Sequence, residues 1–179
     1  MAGEHEITVD QWRGMRDAGA RGELLDGQVV VMPDPGPAHV DCLNRLNRLL
    51  LETLAGKAVV SVQNPVVLDE RSEPRPDLSV LKTTVDPSAH PGPGDVLLLI
   101  EVSESPKFLA YDRGRKASYY ARSGIPECWV VDVPGQQVLM LRSPASGGYR
   151  DIRNVPPSAT IGIERLPDVE LGVAAILGR

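Results

Sequence analysis

The run Asp-Val-Leu-Leu-Leu-Ile-Glu-Val at 95–102 constrains this chain more than any other segment. Five successive apolar residues leave it no polar face, so it reads as a strand buried on both sides and central in a sheet. Glu-Cys-Trp-Val-Val-Asp-Val at 127–133 is a second run of the same kind. Between them a helix starts at Asp112 at the latest and runs to Ser123, with Gly124 as its C-cap. Strand, helix and strand in this order form a βαβ crossover, which places the two strands parallel and adjacent or nearly so.

The other elements follow from local signals. Thr8 and Gln11 fit a capping box, flanked by the apolar pair Ile7 and Trp12, and open a helix that ends near Gly19. Asp26-Gly27 between two apolar runs marks a hairpin within 22–32. Val40, Leu43, Leu46, Leu50 and Leu54 recur at helical spacing, and Gly56 stops that helix. Residues 58–62, 66–68 and 77–81 read as strands, and 83–95 as a Pro- and Gly-containing loop. Residues 136–142 pair back on 127–133 across Pro134-Gly135, 149–153 form an edge strand, and 169–177 a short packing helix. Helices and strands mix along one chain of 179 residues without a linker, which describes one α/β domain with a central mixed sheet flanked by helices.

Composition narrows the function. The net charge of −5 is not the footprint of a protein that grips a duplex by charge alone. Binding nucleic acid then requires a local basic patch, metal ions or a partner. Cys42 and Cys128 sit in apolar stretches and read as buried thiols of a reducing compartment. The first ten residues lack the pattern of a signal peptide, and no apolar run reaches membrane-spanning length, so the expected location is the cytoplasm, away from membranes. Walker A, GxGxxG, HExxH and GxSxG motifs are missing from the sequence.

The chemistry concentrates in three places. Arg75-Pro76-Asp77 opens a strand, Glu101 closes the buried run, and Asp112 with Lys116 lies on the following helix. A carboxylate ending five apolar residues is costly to bury without a cation or hydrogen bonds. It belongs at the C-terminal edge of the sheet, where α/β proteins place ligands. Asp77 and Glu101, with a backbone carbonyl and water, make an oxygen site for Mg²⁺ or Mn²⁺. Lys116 suits holding an attacking water or balancing phosphate charge. Separately, each part has a plainer reading: Pro-Asp is a turn, and Asp112 with Lys116 has the spacing of a solvated helix pair.

Together these segments resemble the Uma2 family of restriction-endonuclease-like proteins. The resemblance rests on RPD at 75–77, LLLIEVSES at 97–105, Asp112 with Lys116, Tyr119 and Tyr120, and SGIPECWVVDV at 123–133. ITVDQWRGM and GELLDGQVVVMPDPGPAH agree in the N-terminal half. The resemblance implies the PD-(D/E)XK fold and a carboxylate metal site. Asp77 is then the first acid, Glu101 the second, and the Val102 backbone carbonyl a third metal ligand. The usual lysine would fall at Ser103, so Lys116 supplies the ammonium from the next helix. Glu23 and His39 fall where the family pattern has a Glu and a His, and with Asp112 and Tyr120 they are accessory candidates. Arg45, Arg48, Lys107, Arg113, Arg115 and Arg122 are candidates for a basic rim, while His5 and His90 have no expected partner. The implied activity is Mg²⁺- or Mn²⁺-dependent hydrolysis of DNA, with a homodimer suiting an enzyme that cuts both strands. The competing expectation is an inactive nucleic-acid-binding or protein-interaction module on the same fold.

Overall fold

The computed structural model describes residues 6–179; His5 lies outside them. The chain runs α1 (Val9–Asp17), β1 (Glu23–Leu25), β2 (Gln28–Val30), α2 (Pro37–Leu54), β3 (Val59–Val62), β4 (Leu78–Leu81), β5 (Val96–Ser103), α3 (Pro106–Tyr111), a π-helical segment (Asp112–Lys116), α4 (Ala117–Arg122), β6 (Glu127–Asp132), β7 (Gln137–Ala145), β8 (Gly148–Val155), β9 (Thr160–Ile163), β10 (Leu166–Gly172) and α5 (Val173–Leu177). A short 3₁₀ turn, Pro93–Asp95, leads into β5.

Six strands form one mixed sheet in the order β3-β4-β5-β6-β7-β8. β5 and β6 are the parallel pair, with Glu101 opposite Val130, and the other pairs are antiparallel. Every residue of β5 and β6 is buried, as two-sided coverage requires. One face packs on α2 through Leu43, Leu46, Leu50 and Leu54, with Ile161, Val169 and Ile176 beside them. The other face packs on α4 through Ala117, Tyr120 and Ala121. Side chains alternate along a strand. Ile100 and Val102 therefore point to α2, and Leu99 and Glu101 to the α3–α4 side.

Local signals act as expected at the N-terminus. The Thr8 N–H donates to Gln11 Oε1 at 2.8 Å, and the Gln11 N–H donates to Thr8 Oγ1 at 3.3 Å. Ile7 packs with Trp12 over Leu24. Asp26 and Gly27 both take positive φ, 52° and 74°, the conformation a tight two-residue hairpin requires.

Four expectations need correction. Residues 66–68 join no strand: the Val66 N–H donates to the Pro74 carbonyl at 3.0 Å and the Leu68 N–H to the Ser72 carbonyl at 2.9 Å. The prolines around them lack the N–H groups a ladder needs. Val40 is 41% exposed and lies off the buried stripe of α2. Within 169–177 the chain is first strand, then helix: Val169 and Leu171 are buried around exposed Glu170, a period of two, and α5 starts only at Val173. β9, which pairs with β10, was not expected at all. No helix among the described residues is long and apolar enough to cross a membrane.

Candidate active site

The site forms where β4 begins and β5 ends. Antiparallel pairing of Leu78 with Ile100 sets Asp77 beside the last turn of β5. There the Val102 N–H donates to Asp77 Oδ2 at 2.8 Å. His39 Nε2 lies 3.0 Å from Asp77 Oδ1, and Gln63 Nε2 donates to the same oxygen at 3.3 Å. Burial works against ionising Asp77, but the hydrogen bond and charge of His39, the Val102 N–H and Lys116 outweigh it and hold the carboxyl below its usual range. Burial also works to lower the His39 pKa; Asp77, the Val102 backbone and Glu104 raise it more. His39 therefore stands against both Asp77 and Val102, two of the three groups expected to hold a metal.

Glu101 faces the helical side. It is 3% exposed, and Lys116 is 4% exposed with its Nζ 2.8 Å from Glu101 Oε1 and 3.2 Å from Glu23 Oε2. Tyr120 Oη donates to Glu101 Oε1 at 2.5 Å. Glu101 also lines the cavity. Burial pushes the Glu101 carboxyl up, opposed by the Lys116 ammonium. For Lys116, burial works downward, but Glu101 and Glu23 outweigh it and hold the ammonium protonated. Glu23 is itself fixed by Tyr111 Oη, which donates to Oε1 at 3.1 Å, and by the Arg75 N–H, which donates to Oε2 at 3.0 Å.

The reading of Asp112 and Lys116 as a solvated helix pair is overturned by their burial: Asp112 is 5% exposed. They bound the π-helical segment. A step of four residues overshoots an α-helical turn of 3.6. The wider i→i+5 turn reverses that drift, so Asp112, Lys116 and Tyr120 all point inward from one row. Ser103, which stands where the usual lysine would fall, donates from Oγ to Asp112 Oδ2 at 2.7 Å.

Asp112 carries a pH prediction. Burial first, then the nearby Asp77 and Glu23, push its carboxyl up to about 6, against Lys116 and Ser103. An acid whose folded pKa exceeds its unfolded value of about 3.9 favours folding when protonated, so stability falls as pH rises through this window. We expect Asp112→Asn to gain stability over the wild type by about 2–3 kcal/mol between pH 4 and pH 7. Urea unfolding at both pH values checks it; a constant gap would mean that Lys116 and Ser103 keep Asp112 ionised throughout.

These side chains line a cavity of about 460 Å³. Six acids (Glu23, Asp34, Asp77, Glu101, Glu104 and Asp112) face it, against four permanent cations (Arg16, Arg21, Arg75 and Lys116). The excess of hard carboxylate oxygen suits a divalent cation such as Mg²⁺ or Mn²⁺. Among the described residues no three His, Cys, Asp or Glu side chains form a ready metal cage. The residues present would fit only an open site, in which Asp77 and Glu101 would supply oxygens and water or substrate would complete the shell.

The seven side chains expected at the site converge: Asp77, Glu101, Lys116, Glu23, His39 and Asp112 line the cavity, and Tyr120 anchors Glu101 from behind. The basic rim differs. None of Arg45, Arg48, Lys107, Arg113, Arg115 and Arg122 lines the cavity. Arg45 binds Asp41 and the Ile176 carbonyl, Arg115 donates to Gln28, and Arg122 stacks on Tyr119. His90 is not alone: its Nε2 lies 4.0 Å from Glu73 Oε1. Tyr111, Gln63, Arg16 and Arg21 are not singled out by the sequence, and Arg75 only as part of the RPD motif, because only the fold brings them to the acids.

No curated protein matches this chain. A putative nuclease belonging to DUF820 from Anabaena variabilis superposes with a TM-score of 0.73 at 13% identity, over 96% of this chain and 98% of that one. The type IIG restriction endonuclease BpuSI gives a TM-score of 0.47 at 14% identity, with 84% of this chain covering 17% of that protein. The first likeness shows that this chain shares the mixed α/β fold of that protein. The model of the Uma2 family, described as "Putative restriction endonuclease", matches residues 8–174, and the chain belongs to that family.

Proposed function

We propose that this chain is a Mg²⁺- or Mn²⁺-dependent nuclease that hydrolyses DNA phosphodiester bonds, with Asp77, Glu101 and Lys116 at its centre. The observation that carries the reading is the convergence of these three groups on one cavity whose acids outnumber its cations. Membership of the Uma2 family supports it. A divalent cation bound at the carboxylates supplies Lewis acidity and lowers the pKa of a coordinated water.

The protein groups have distinct tasks. His39, Gln63 and the Val102 N–H fix the Asp77 carboxylate, and Tyr120 fixes Glu101. Lys116 stays cationic between Glu101 and Glu23, so it is no proton acceptor. An ammonium has three N–H donors, so beyond these two acids it has one with which to orient the attacking water or screen a phosphate oxygen. The water oxygen attacks phosphorus and its proton passes to solvent or to a cavity carboxylate. The opposite P–O bond breaks, and the leaving oxygen takes a proton.

Incubation of supercoiled plasmid and single-stranded DNA with Mn²⁺ or Mg²⁺ tests this, with Asp77→Ala and Glu101→Ala beside the wild type. Metal-dependent cleavage that both variants lose is the expected result. A binding module on the same fold is the competing reading, favoured by the engagement of Lys116 with two acids. Absence of cleavage together with absence of divalent-ion binding would favour it instead.

A further inference from the structure

We propose that the cavity admits a single DNA strand, a frayed end or a flap, and that Arg75 holds a phosphate flanking the one under attack. The inference rests on the nuclease reading of the same site and concerns what that site can reach.

Depth is the first observation. Glu101 and Lys116 are almost fully buried, so a phosphodiester must enter the cavity to meet them. Four separate segments line it beside the acids: Arg16 and Arg21 at and beyond the end of α1, Met32 to Pro35 before α2, Arg75 before β4, and Phe108 on α3. A space of about 460 Å³ is that of one small ligand, the scale of a nucleotide or two. An intact duplex brings its paired strand to the mouth together with the phosphate, whereas a single strand brings one backbone alone. Enzymes that do chemistry on a base inside the duplex take single strands or extrude the nucleotide, a precedent for a substrate that enters a recess without its paired strand.

The lining is the second observation. Met32, Pro33, Pro35 and Phe108 give one apolar wall, and Arg16, Arg21 and Arg75 give cationic groups. A cationic track for the backbone with apolar or aromatic surface for bases is how single strands are held without sequence readout. The three arginines are not equivalent. Arg16 approaches buried Glu73 at 3.5 Å, and Arg21 approaches Asp34 at 3.9 Å. The Arg75 side chain is exposed and has no acidic partner among the described residues, while its backbone N–H anchors Glu23. Its guanidinium is therefore free for phosphate, and truncating it leaves the Glu23 anchor in place.

The test is fluorescence anisotropy with Ca²⁺ present, using a labelled oligothymidine and a closed dumbbell duplex of the same nucleotide count. Binding of the strand about tenfold tighter than the dumbbell is expected. Arg75→Ala should weaken strand binding about fivefold to tenfold and reduce the slope of log affinity against log salt by about 0.7. Arg150→Ala, on the exposed edge strand β8, should leave both unchanged. Equal binding of the dumbbell, no binding of either DNA, or an Arg75→Ala slope equal to wild type would overturn the proposal. Cleavage in Mn²⁺ separates it from the nuclease reading. Equal internal cutting of dumbbell and strand defeats the strand preference alone, whereas a strand bound selectively and never cut defeats the nuclease reading alone.

Discussion

Replacing Lys116 by methionine should destabilise the protein by about 3–5 kcal/mol at pH 7, the usual cost of removing one partner from a buried ion pair. The ammonium sits 2.8 Å from Glu101 and 3.2 Å from Glu23, and all three side chains are nearly out of water. Without it two nearly buried carboxylates face each other with no cation between them, and at least one must take up a proton. That protonation becomes easier as pH falls, so the loss should be largest in alkaline buffer and shrink in acid. For a chain of this size the melting temperature should fall by about 6–20 °C. Combining Lys116→Met with Glu101→Gln should restore part of the loss, because the double variant buries one charge fewer. Calorimetry of the single and double variants decides it. An unchanged melting temperature would mean that Glu101 is already protonated in the fold and that Lys116 serves chemistry alone.

The buried heart of the fold was legible in the sequence for a simple physical reason. Residues 96–100 leave no side for water, so the segment can only be a central strand, and β5 and β6 pair in parallel around α3 and α4 as that demands. The Thr8 capping box and the Asp26-Gly27 turn were legible because their hydrogen bonds and dihedral angles close within a few residues. Segments that depend on distant partners were not. β9 has only Ile161 and Ile163 as inward residues, and it becomes a strand because β10 folds back on it. Residues 66–68 carry a strand's apolar pattern, but prolines deny them a ladder.

The site shows the same division. Asp77 and Glu101 stood out because their positions beside apolar strands demand an explanation. The burial of Asp112 and Lys116 was not visible, since a spacing of four residues looks alike on a solvated helix and on a π-helical turn facing the interior. The cationic lining was misplaced for a related reason. Arginine carries no local signal of direction, and the residues that reach the cavity come from α1 and from the approach to β4, far in sequence from Lys116.

Asp77→Asn should reduce cleavage about 10³-fold, the scale on which removing one preorganised electrostatic group acts. It should do so with little loss of stability. The substitution keeps the shape of the side chain and one acceptor for the Val102 N–H or for Gln63, and it removes the negative charge that draws His39 and a cation. Asp77 is ionised more readily in the fold than in the unfolded chain, so its charge contributes stability above the unfolded pKa, and that contribution fades as pH falls through the folded one. The neighbouring groups that produce this shift are partly opposed by burial, so the net contribution lost is smaller than that of Lys116. Two readouts are needed. Isothermal titration should show Mn²⁺ affinity reduced at least about tenfold, as expected when a ligand or its support is removed. Plasmid nicking should show the loss of rate. If the Asp77→Asn variant cuts within about tenfold of wild type, the cation is held elsewhere in the cavity, and Glu101 becomes the group to pursue. If Mn²⁺ binding persists while cutting disappears, Asp77 acts on the substrate through His39 and not as a ligand.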